Sequence, residues 1–227
     1  MEPRPIQAQT LPPALAGRDV LGLAQTGTGK TAAFVLPILQ RLLGSNQPGP
    51  RALVVTPTRE LASQVNADFQ RLAKHTKLTS TVVFGGVPAS RQVRAMRQRP
   101  DIVVACPGRL IDLMGRGCVR VDGIEVLVLD EADHMFDMGF LPDLRRILKA
   151  LPARRQNLLF SATMPPAIRK LAGLDIAGIS HVVNFDVPNT PDAYTHRIGR
   201  TGRSEETGMA YTFITRDDAS ALRAIEK

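Results

Sequence analysis

The chain has 227 residues, enough for one large domain or for one domain and a piece of another. Hydrophobic residues make up 44%, which excludes a disordered chain; 29 Lys and Arg against 21 Asp and Glu leave +8, a charge that favours a polyanionic partner. No Trp, two Tyr and eight Phe argue against an aromatic base-stacking surface, so contacts with any nucleic acid are expected through its backbone.

Cys106 and Cys118 are too few for a disulfide framework, and no Cys/His group has zinc-ligand spacing. They read as free thiols of a reducing compartment. Met1–Pro5 holds no apolar leader, and no apolar run is long enough to span a membrane, so a cytoplasmic protein is expected.

Along the chain, short apolar runs alternate with longer helical segments. Strand-like Asp19–Ala24 leads into a Gly-rich turn and a helix over Lys30–Leu43. A loop over Gly44–Pro50 precedes the strand-like run Ala52–Thr56 and a helix over Arg59–Ala73. Further strand-like runs are Thr81–Phe84, Asp101–Ala105, Val126–Leu129 and Asn157–Phe160, with a helix over Leu141–Leu151 before the last. Runs that are apolar throughout suit strands buried on both faces, so the pattern predicts an α/β domain over residues 1–172, a parallel sheet with helices on both faces. Residues 173–227 show a shorter pattern: strands over His181–Phe185 and Met209–Ile214, helices over Asp192–Ile198 and Asp217–Lys227. That stretch is too small for a second α/β domain of ordinary size.

Ala24-Gln25-Thr26-Gly27-Thr28-Gly29-Lys30-Thr31 follows a strand and opens a helix, the setting a Walker A loop requires. Its glycines let backbone N–H groups face phosphate oxygens at a positive helix end. Lys30 would hold the β- and γ-phosphates of ATP, and Thr31 would place its hydroxyl on Mg²⁺. The usual pattern begins with Gly, and here Ala24 stands there. Asp130-Glu131-Ala132-Asp133 follows the apolar run Val126–Leu129, which delivers the acids to the carboxyl edge of the sheet. Asp130 would hold Mg²⁺ and Glu131 would orient and deprotonate the attacking water. Arg91, Arg94 and Arg97 recur at helical spacing, a phosphate-facing stripe or, as is commoner for charge runs, a solvated helix face; His75, His134 and His181 read as isolated surface or packing residues.

Together these motifs resemble a bacterial-type DEAD-box ATP-dependent RNA helicase, a RecA-like P-loop fold. Pro5-Ile6-Gln7 resembles the Q motif, which implies that Gln7 reads adenine. Pro57-Thr58-Arg59-Glu60-Leu61, Gly85-Gly86 and Pro107-Gly108-Arg109 resemble the family's RNA-backbone contacts. Ser161-Ala162-Thr163 resembles the motif that couples hydrolysis to unwinding through hydrogen bonds to the last acid of the box, here Asp133. His196-Arg197-Ile198-Gly199-Arg200-Thr201-Gly202-Arg203 matches the arginine-finger motif, which implies coupling through His196 and phosphate contacts from Arg200 and Arg203. The resemblance implies RNA gripped through phosphates and 2′-hydroxyls with little sequence preference.

The chain also departs from the family pattern. Family members carry two RecA-like domains, yet only 35 residues separate Ser161 from His196. Gly173-Leu174-Asp175-Ile176 resembles the end of an Ala-Arg-Gly-x-Asp motif, with Ala172 where arginine stands, which implies a nucleotide contact from Asp175. An internal deletion of most of the second domain fits, leaving 173–227 as a truncated remnant. The segment before the Q motif is short as well. Two readings follow: an RNA helicase with impaired turnover, or a single RecA-like module that binds ATP and RNA without productive turnover.

Overall fold

The structure, a computed structural model, describes residues 2–25, 27–44, 47–165, 168, 180–184, 191–199, 201, 208–214 and 225. Its helices are α1 (Pro5–Leu15), α2 (Lys30–Leu43), α3 (Arg59–Leu72), α4 (Ala89–Arg97), α5 (Pro107–Gly115), α6 (Ala132–Asp137), α7 (Leu141–Ala150) and α8 (Pro191–Ile198). The strands are β1 (Val20–Leu23), β2 (Ala52–Val55), β3 (Ser80–Val83), β4 (Ile102–Ala105), β5 (Val126–Leu129), β6 (Gln156–Ser161), β7 (His181–Asn184) and β8 (Met209–Thr212).

All eight strands form one sheet in the order β3-β4-β2-β5-β6-β1-β7-β8, and every pairing is parallel. The physical cause is plain in β1, β2, β4, β5 and β6, whose residues are buried without exception. A strand with no polar face is stable only between two covering layers. Alternate side chains serve the two layers. Leu21, Leu53, Val103, Leu127 and Leu159 join Leu110, Leu144 and Ile147 from α5 and α7. Val20, Val54, Val104, Val128 and Phe160 join Ile6, Phe34, Val65 and Phe69 from α1, α2 and α3. Gly22 is required on that second face, because a Cβ there would lie 2.6 Å from the Phe160 ring. The space admits Phe160 against Phe34, with ring centroids 5.5 Å apart.

The predicted strands differ from the observed ones by no more than two residues at either end. The hydrophobic pattern does not reveal α1, which carries Pro12 and Pro13 inside it; the spacing of Arg91, Arg94 and Arg97 marks α4, whereas α5 and α6 are too short to stand out in the sequence. The predicted helix over Asp217–Lys227 lies almost wholly outside the described residues.

The region beyond residue 172 brings the main topological finding. Residues 169–179 are outside the description, but β7 lies directly against β1, with Val20 opposite His181 and Leu23 opposite Asn184. β8 then pairs with β7. Both described strands of the tail therefore extend the sheet of the first 161 residues.

Candidate active site

In a parallel sheet all strands end on one edge, and the loops that leave this edge form the site. β1 delivers the Walker loop there and β5 delivers the acidic box. Gly27 and Gly29 have φ of +79° and +97°, the left-handed region that glycine enters without steric cost. Space also requires Gly29, since a Cβ on it would meet Gln7 Nε2 at 2.7 Å.

Lys30, only 6% exposed, donates from Nζ to the carbonyl of Ala24 at 2.9 Å. Ala24 in turn donates its N–H to Ser161 O at 3.0 Å, so the start of the loop is tied to the end of β6. Thr28 Oγ1 donates to Gln25 O at 2.8 Å; Thr26 is outside the description. Gln7 reaches the loop as the Q-motif resemblance implies, but its amide is spent on protein: Nε2 donates to Gly29 O at 3.1 Å, and Oε1 accepts from Arg4 N at 3.0 Å.

Asp130 is 2% exposed and accepts at Oδ1 from the N–H of Glu131 at 3.0 Å. Burial pushes its carboxyl up to about 6, against the pull of the Lys30 charge. Glu131 has φ +53°, a conformation rare for a residue with a side chain and one that costs on the order of 1–3 kcal/mol. That backbone turn redirects the chain from β5 into α6, where Glu131 is the N-cap. A cleft of about 410 Å³ gathers Arg4, Gln7, Gly27, Gly29, Lys30, Thr31, Gln64, Asp68, Asp130 and Glu131. These residues fit a nucleotide with a divalent cation: a glycine cradle, a buried ammonium, a hydroxyl and a buried carboxylate line one cavity.

Asp133 is bonded to the end of β6 and to the residues just after it. Its Oδ2 accepts from Thr163 N at 2.8 Å and Thr163 Oγ1 at 2.9 Å, while its N–H donates to Ser161 Oγ at 3.2 Å. Burial raises the Asp133 carboxyl, but the bonds from Thr163 and Ser161 outweigh it and hold the group below its ordinary range.

The residues with RNA-contact motifs collect on the ends of β2, β3 and β4, neighbours in the sheet. Thr58 caps α3 by accepting from Leu61 N at 3.2 Å. Arg59 sits over the Phe84 ring at 5.6 Å, and a Cβ on Gly86 (φ +74°) would meet its Nη1 at 2.5 Å. Pro107 and Gly108 open α5, and Arg109 donates from Nη1 to Val87 O at 3.1 Å. Gln92, buried under the loop after β3, donates to Phe84 O at 2.8 Å and holds that loop from below.

Sequence reasoning missed Arg4, whose place depends on a contact across 23 residues, and Gln92, which no motif marks. It also read His134 as isolated. That reading is corrected: His134 Nδ1 lies 3.4 Å from Glu131 Oε2, because residues three apart share one face of a helix. Asp175, Arg200 and Arg203 lie outside the described residues, and His196 falls in α8 with its side chain undescribed. The structure thus brings together the Walker loop, Gln7, Asp130, Glu131, Asp133, Ser161 and Thr163, and sets the RNA-type residues beside them.

Comparison with known proteins places this geometry. The family described as DEAD/DEAH box helicase matches residues 4–171, and the helicase conserved C-terminal domain matches residues 168–205. The chain belongs to the DEAD-box ATP-dependent RNA helicase family. A DEAD-box ATP-dependent RNA helicase CshA of Bacillus subtilis is 33% identical over 335 aligned positions, covering all of this chain and 68% of the relative. The CshA helicase of Limosilactobacillus reuteri is 34% identical, with 67% of its length covered. An aligned span of 335 positions against 227 residues means that the Bacillus relative carries a segment this chain lacks. A hypothetical ATP-dependent RNA helicase from Sulfolobus tokodaii superposes with a TM-score of 0.71 at 28% identity, covering 99% of this chain and 96% of that one. A DEAD box protein from Methanococcus jannaschii gives 0.71 at 27% identity, with coverages of 99% and 90%. DEAD-box proteins bind RNA and use ATP, and no described helix of this member is long and apolar enough to cross a membrane.

Proposed function

We propose that this DEAD-box chain binds ATP with Mg²⁺ and the backbone of RNA at its carboxyl edge, and turns ATP over far more slowly than the two-domain CshA relatives. Lys30 leaves the Ala24 carbonyl for the nucleotide phosphates, where a charged acceptor makes a stronger bond than a neutral one. Thr31 and Asp130 hold the cation, which supplies charge neutralisation of the phosphates when bound. Glu131, beside His134, orients and deprotonates water. Gln7 exchanges its Gly29 and Arg4 partners for the adenine edge. Thr58, Arg59, Gly86 and Arg109 face the nucleic-acid backbone, and the lack of an aromatic platform suits low sequence preference.

The reading of slow turnover rests on one observation, the parallel pairing of β7 and β8. β7 runs to the edge that carries the Walker loop, with Asn184 opposite Leu23. β8 starts at the other edge, with Met209 opposite His181. The connection between them must therefore return across the sheet, as in any parallel pair. An arginine finger is worth about 10³–10⁵ in rate only when it is held against the developing charge. With β7 and β8 both added to the first sheet, the described residues form one sheet and no second one that could hold such a finger across the cleft.

The test is an RNA-stimulated ATPase assay beside the Bacillus subtilis relative, with ATP binding measured on the same samples. ATP binding that is abolished in Lys30→Ala, together with turnover lower by about 10³-fold or more, is expected. Turnover comparable to the relative's would sink the reading.

A further inference from the structure

The cleft holds a second cation besides Lys30 of the Walker loop. Arg4 precedes α1 and donates from Nη1 to the carbonyl of Gly27, in the middle of the Walker loop. Its Cδ lies 3.0 Å from where a Cβ on Gly29 would stand, so the side chain runs along the loop and does not extend into solvent. Its backbone N–H binds Gln7 Oε1 at 3.0 Å, which fixes where the side chain starts. Among the described residues that line the cleft, Arg4 and Lys30 are the cations, and Asp68, Asp130 and Glu131 are the acids.

The two cations are held in the same way. Lys30 is on the Ala24 carbonyl and Arg4 on the Gly27 carbonyl, both neutral acceptors belonging to the loop that would wrap phosphates. A phosphate oxygen is the better acceptor for either, since charge-assisted bonds are about twice as strong as neutral ones. A guanidinium presents several N–H groups in one plane, so Arg4 can keep Gly27 and gain a phosphate together. Arg4 also offers positive charge at the mouth of the loop, on the solvent side of a site where Lys30 is buried.

We infer that Arg4 is a nucleotide-binding residue of this chain, a second cation for the polyphosphate of the ligand. The inference rests on the ATP reading of the cleft. It assigns a role in cis to a residue of the N-terminal turn, independent of the arginine motif after α8.

Displacement of a fluorescent ADP analogue by ADP, pyrophosphate and adenosine tests it, on the full chain with Mg²⁺ present. Arg4→Ala is expected to weaken ADP and pyrophosphate by about tenfold, the usual size for loss of a charge-assisted hydrogen bond, and adenosine by less than twofold. Arg4→Lys recovers part of the loss, because it keeps the charge without the planar fork. Equal weakening of adenosine and ADP would make Arg4 a prop for Gln7 and overturn the inference. Unchanged or tighter ADP binding would overturn it too, the latter making Arg4 a latch on the empty loop. A wild-type chain that does not bind the analogue at all would instead refute the ATP reading itself.

Discussion

The two flanks of β1 were built from distant parts of the chain, and they differ in how firmly they are held. On one side β6 is buried along its whole length and carries Ser161 and, just beyond, Thr163, both hydrogen-bonded to Asp133. On the other side β7 buries Val182, Val183 and Asn184 completely, but the next strand out, β8, leaves Met209 51% exposed. Order imposed by burial therefore fades across two strands. The inner tail strand is part of the domain's core, whereas the outer one is a partly solvated edge.

The comparison predicts its own failure points. Val183→Asp should have the largest effect, since it buries an unpaired carboxylate beside β1 and between the layers. A loss on the order of 4 kcal/mol in urea unfolding, with a single transition, is expected. A first-domain transition left unmoved would show that the tail folds apart from it.

Asp130→Asn should act in the opposite direction on the nucleotide-free chain. The native carboxyl, raised to about 6 by burial, holds its proton more tightly than in the unfolded chain. The native state therefore loses stability as pH rises from about 4 through 6, and the full cost of the buried charge is carried above that window. The amide removes this cost, so the variant should be more stable than wild type at pH 7.5 by on the order of 1–3 kcal/mol, with the difference shrinking towards pH 4. Thermal melts at both pH values check the sign.

Tyr211→Ala on β8 should show the smallest effect. Tyr211 is only partly buried, and its ring stacks on His181 with centroids 6.5 Å apart. A loss of about 1 kcal/mol, well below that of Val183→Asp, is expected from urea unfolding. Equal losses at the two sites would remove the distinction between inner and outer strand.

Much of the nucleotide wall was legible because it depends on local chemistry. The Walker loop needs glycines at positive φ next to a helix start, and Gly27 and Gly29 declare this in sequence. The acids need an apolar strand before them, and Val126–Leu129 declares that. Burial of Lys30 and Asp130 was not legible, nor was the left-handed turn at Glu131, because these arise from the packing of β1 and β5 around them. Arg4 was not legible either, since it reaches a loop 23 residues away that follows β1. Gln92 folds back only eight residues, onto the loop that leads into its own helix, and no motif marks it.

By itself the sequence determined the family, the parallel α/β class and which loops would meet in one cleft, since hydrophobic period and loop chemistry are properties of short segments. Only the tertiary structure decided where the tail goes. His181–Asn184 is a short strand with two central valines that could pair with any free edge, and nothing in its residues names β1 as the partner. Pairing is settled by which edge remains open and which layers can cover Val182 and Val183, and the whole sheet alone supplies that information.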